Sequence, residues 1–145
     1  MDIELTDDEH LRALAVLEAV VKNDADALGV LAGNAGERPL PGLLAAYGQH
    51  TLHRILIAAF GIDATMDHDE TGRLVAEING DPMARMVFVL TDALHNQAAL
   101  AGDGPANAKL VARSILLAIH ALTDADDHDA LTLLRALRNE VLRAG

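Results

Sequence analysis

His50 and His53 form an H-x-x-H pair, and Asp92 and His95 form a D-x-x-H pair. Three-residue spacing puts two side chains on one face of a helix, and metal sites in helical bundles are built from such pairs on facing helices. A divalent transition metal accepts imidazole and carboxylate together. His50, His53, Asp92 and His95 are therefore the candidate metal ligands, and they would suit a metal-dependent hydrolase-type enzyme. The surrounding pattern points to a blander role. His50 and His53 lie opposite the stripe of Leu44, Tyr47 and Ile55, beside Gln49 and Arg54, and Asp92 follows Thr91 on a polar side. A solvated helix face reads this way, and it is the favoured reading.

Two acidic segments raise the same question. T-D-A-D-D-H-D-A occupies 123–130, and D-A-T-M-D-H-D-E occupies 63–70. The first lacks the central glycine and distal glutamate of an EF-hand calcium loop. The second contains His68-Asp69, and in this dipeptide it resembles the HD-domain metal-dependent phosphohydrolases. Its polar M-D-H-D-E-T-G departs from the apolar helical stretch that the H-D of that family closes. Both segments stand where a helix should begin, and first-turn carboxylates favour a helix by opposing its dipole. Thr123 or Asp124 would cap the last helix, with Arg135, Arg138 and Arg143 toward its other end.

Other chemistry has little material. Ser114 is the one serine and lies within S-I-L-L-A-I, where its hydroxyl is expected to bond back to its own helix. No nucleophile elbow, phosphate-binding glycine loop or dinucleotide fingerprint occurs, so no catalytic residue and no cofactor are expected. The absence of cysteine excludes disulfides and thiolate ligands.

The elements that would position these residues are helical. Half of the 145 residues are hydrophobic, yet the aromatics are only Tyr47, Phe60 and Phe88. A core of Leu, Ala, Val and Ile suits closely packed helices. T-D-D-E at 6–9 is a capping-box pattern, followed by Leu14, Leu17 and Val21 on one face, with Glu18 and Lys22 paired on the wet side. Asn23 ends that helix, and Asp24 or Asp26 starts a short one. G-N-A-G-E-R-P-L-P-G at 33–42 reads as a loop, and a long helix runs from about Leu43 to Phe60. Residues 73–90 admit two readings. One is a β-hairpin around Asn79-Gly80. The other, which is favoured, is a helix stop there and a new start with Asp81 as cap and Pro82 at the first position. The spacing of Met83, Met86, Val87, Leu90, Leu94 and Ala98 supports the second reading and assigns the two methionines to the core. Pro105 opens a helix that is apolar on more than one side, and the last helix runs from about Asp126 to Leu142. The expectation is one all-α domain over 1–145, an antiparallel bundle of six or seven helices.

The formal net charge of −11 repels phosphate backbones, so direct nucleic-acid binding is not expected. No apolar run approaches the ~18–20 residues of a membrane span, and the acidic N-terminus is unlike a secretory signal. A cytoplasmic protein without membrane contact is expected. Apolar surface in excess of one core favours a protein-interaction or regulatory module that self-associates, most simply as a homodimer with a further protein partner. Two alternatives are the metal-dependent enzyme above and an acidic inhibitor that imitates nucleic acid.

Overall fold

The first helix starts where its capping box stands. Thr6 Oγ1 accepts from Glu9 N (3.1 Å), and Glu9 Oε1 accepts from Thr6 N (3.2 Å). This reciprocal pair satisfies two of the donors that a helix N-terminus otherwise leaves open. The computed structural model describes residues 4–32, 37–62, 65–123 and 127–144. Among these, seven helices and no strands occur: α1 (Asp7–Val21), α2 (Ala25–Ala32), α3 (Leu40–Ala59), α4 (His68–Gly80), α5 (Pro82–Leu100), α6 (Pro105–Thr123) and α7 (Asp127–Ala144).

Short-range chemistry sets most of the boundaries. Asn23 leaves α1 with φ of 56°, a left-handed value that asparagine tolerates better than most residues. Asp24 then caps α2, its Oδ1 accepting from Ala27 N at 3.1 Å. Asp67 caps α4 through Glu70 N (2.7 Å), which places His68 and Asp69 in an exposed first turn. Residues 73–90 belong to α4 and α5, and the hairpin alternative is excluded. Asp81 leaves helical geometry with φ −80° and ψ 127°, and its Oδ2 accepts from Ala84 N at 2.9 Å. Pro82 takes the first helical position, where a missing N–H costs nothing. α3 begins at Leu40, earlier than the loop reading of 33–42 allows, because Pro41 fits a helical first turn. Thr123 does not cap the last helix. It ends α6, and its hydroxyl donates to Ile119 O at 2.6 Å. Asp124, Asp126 and the side chains of Asp127, His128 and Asp129 lie outside the described residues.

The core follows from the packing partners. α3 lies chiefly against α5 and α6, and α1 against α7, α2 and α6. Leu14, Leu17, Leu43, Leu44, Leu52, Ile115, Ile119 and Leu134 are fully buried, and each such side chain contributes about 1.5–3 kcal/mol on leaving water. α3 and α6 touch at Gly48, where a Cβ would come within 2.8 Å of Ile115 Cγ1 and Cδ1. Glycine is what lets these two helices approach so closely. Among the described residues no helix is long and apolar enough to cross a membrane.

Arg12, on the inner side of α1, holds α2 and the start of α3. Its guanidinium donates to Leu31 O from Nε (3.3 Å) and Nη2 (3.0 Å), and to Arg38 O from Nη1 (2.6 Å). It also pairs with Glu37 at 2.9 Å. The carbonyls near the end of a short helix lack intrahelical partners, and here a side chain from another helix supplies one.

Candidate functional site

The structure sorts the candidate ligands by their neighbours. His50, on α3, meets His10 on α1, with ring centroids 4.9 Å apart in an edge-to-face arrangement. His53, one turn further along α3, packs edge-on against Phe88 of α5 at 5.1 Å. His95 of α5 donates from Nε2 to Gln49 Oε1 of α3 at 2.6 Å. Asp92 is exposed on the outer flank of α5. The two pairs therefore face different surroundings, although α3 and α5 are neighbours. Among the described residues no group of three or more His, Asp or Glu side chains converges to hold a metal ion.

His10 and His50 open onto a cleft of about 370 Å³ between α1, α3 and α7. Tyr47, Thr51 and the Arg54–Glu140 ion pair (3.2 Å) form its polar part, while Leu133, Leu137 and Val141 of α7 form an apolar wall. His10 also stacks edge-on with Tyr47 at 5.7 Å. Burial pushes the Tyr47 phenol above its ordinary value of 10, opposed by a hydrogen bond from Thr51. The His50 imidazole lies below its ordinary 6.5, first through loss of solvent and then through His10, Arg54 and His53. His50 keeps an exposed edge, so the cleft walls withdraw water from only part of the ring. His10 is also lowered, mainly by burial. Arg54 adds to this, while Asp7 and Glu9 oppose it. Both shifts favour the neutral ring, a donor and acceptor, over the cation.

His10 has no local signal in the sequence. It sits in a helix start rich in acids, and only the packing of α1 on α3 brings it to His50. Ser114 bonds back to Leu110 O at 3.0 Å, as its sequence context indicates.

A second feature lies on α5. Its core face is Ala84, Val87, Thr91, Leu94 and Ala98. Met83 and Met86, expected in the core, are 56% and 70% exposed; Val89 is 66% and Leu100 87% exposed. The sequence stripe merges two faces because α5 is apolar on both, and the smaller residues take the inner one against α3 and α6. α6 likewise turns Leu110 and Leu117 outward while Leu116 is buried.

No protein-family model matches this chain, and no curated protein or solved structure matches it.

Proposed function

We propose that the protein is a non-enzymatic interaction module, a helical bundle that acts by binding protein and associates with itself. The observation that supports this is the outward apolar face of α5, where Met83, Met86, Val89 and Leu100 stand in solvent on a helix whose other face already fills the core. Burial of such surface is the main driving force for association, and methionine adapts to an incoming surface more readily than branched residues. Exposed apolar patches rimmed by polar residues mark interaction sites. Sedimentation velocity of the full chain over a concentration series tests the reading. A concentration-dependent dimer is expected, and a monomer throughout the micromolar range would remove self-association.

The His10–His50 contact favours a second, metal-dependent reading, in which the two imidazoles by themselves hold a borderline divalent ion at the cleft, with no third His, Asp or Glu ligand beside them among the described residues. It predicts bound zinc, manganese or iron in protein purified without a histidine tag. Metal-free protein that shows no thermal shift with any of the three would rule it out.

A further inference from the structure

The outward positions of α5 carry a pattern of their own. Pro82, Met86, Val89, Ala93, Asn96 and Leu100 are all exposed and recur at alternating spacings of four and three. That alternation is the 3.5-residue seam of a helix meant to lie along another helix. Arg85 and Asp92 stand one heptad apart on one flank of the seam, both exposed, and Met83 and Leu90 stand one heptad apart on the other.

We infer that this face pairs with the same face of a second copy, antiparallel about a two-fold axis, with Arg85 opposite Asp92 of the partner subunit. The inference rests on the self-association reading above and assigns it a surface, an orientation and a register.

The orientation follows from charge. In an antiparallel pair, like flanks face each other, so the Arg85–Asp92 flank meets itself. A two-fold contact occurs twice: Arg85 faces the partner's Asp92, and Asp92 faces the partner's Arg85. A parallel pair would set this flank against the Met83–Leu90 flank and leave both charges without a counterpart.

The register follows from the same residues. Full overlap of the seam would set Pro82 opposite the partner's Leu100. It would also bring the two copies of Asp92 together and press Asn96 onto an apolar side chain. Sliding the helices by one heptad removes both conflicts. Met86 then lies on the partner's Val89 near the axis, Met83 meets the partner's Leu90 on one flank, and the reciprocal ion pairs close the other. Asn96 and Leu100 lie beyond the overlap, where asparagine keeps its water. Opposed like charges at an interface are what selects against a wrong register.

Equilibrium sedimentation of the full chain tests this with four variants: Arg85→Asp, Asp92→Arg, the double exchange and Val89→Asp. All three positions are exposed, and circular dichroism checks that each variant stays folded. Wild type is expected to dimerise. Each single charge reversal should weaken the dimer roughly tenfold or more, because two pairs become repulsive at once. The double exchange should restore it, and Val89→Asp should abolish it. A wild type that stays monomeric defeats the self-association reading itself. A dimer that ignores all four variants keeps that reading and overturns the α5 surface. A dimer lost in Val89→Asp but not rescued by the double exchange overturns the register.

Discussion

The Glu18 carboxylate on α1 accepts a hydrogen bond from the Arg138 guanidinium on α7, across 120 residues of sequence. Lys22 pairs with the other carboxylate oxygen at 2.9 Å. Glu18 was expected on the wet side of its helix, yet only 13% of its side chain is exposed, because α7 covers it. Its carboxyl is held below the ordinary 4.5, first by the hydrogen bond from Lys22 and then by Arg138, with burial acting in the opposite direction. Glu18→Gln leaves two cations facing a neutral amide and should cost about 1–3 kcal/mol. Urea denaturation of Glu18→Gln, Arg138→Met and the double variant checks this. A coupling below about 0.5 kcal/mol would mean that the two side chains act independently.

Gly48 and Ile115 set the distance between α3 and α6. Gly48→Ala places a methyl where Ile115 Cγ1 and Cδ1 already lie, and Ile115 is fully buried with nowhere to retreat. Destabilisation of about 1–3 kcal/mol is expected, against the usual gain from replacing a helical glycine by alanine. Ile115→Val removes Cδ1 and should cost less in the Gly48→Ala background than in wild type. Thermal melts of the four proteins measure that difference.

Arg12 ties α2 to the bundle through Leu31 O and Arg38 O. Arg12→Met keeps the aliphatic stem and removes the donors. The expected loss is about 1.5–3 kcal/mol, the range for hydrogen bonds to a charged group. Hydrogen exchange should quicken in α2 before α3, since α2 has few other attachments. Uniform exchange across both helices would mean that Arg12 supports the whole bundle.

His10 and His50 make stability depend on pH in a predictable direction. Both pKa values are lowered in the folded protein from an ordinary 6.5. Below that value the unfolded chain binds more protons, so their contribution is present above it and lost as pH falls through the folded values. Melting temperature should be flat above neutrality and decline as pH falls below the ordinary 6.5. Glu18 acts with the same sign in a lower window, below its ordinary 4.5. His10→Asn and His50→Asn should each flatten the upper slope only. An unchanged slope in both variants would assign the pH dependence to other groups.

Helix starts were the most legible part of the sequence. Thr6 with Glu9, Asp67 before Glu70, and Asp81-Pro82 each act within four residues, so the chain carries that information locally. The same locality resolved residues 73–90 in favour of two helices. The histidines were legible only by type and spacing. H-x-x-H at 50 and 53 correctly marks one side of α3, but the turn between the two rings sends one to His10 and the other to Phe88.

By itself the sequence determined an all-α chain of six or seven helices, several of their starts and a core of small aliphatic side chains, because these depend on neighbours along the chain. Tertiary structure alone decided which apolar face of α5 is inside. Both faces repeat at helical spacing, and only the approach of α3 and α6 selects the one with small residues. It also decided that Glu18 is covered, that Arg12 reaches Leu31 O and that His10 meets His50. Each of these depends on two helices far apart in sequence arriving at a particular distance and rotation. That arrival is governed by the packing of Leu, Ala and Gly surfaces, which no local pattern encodes.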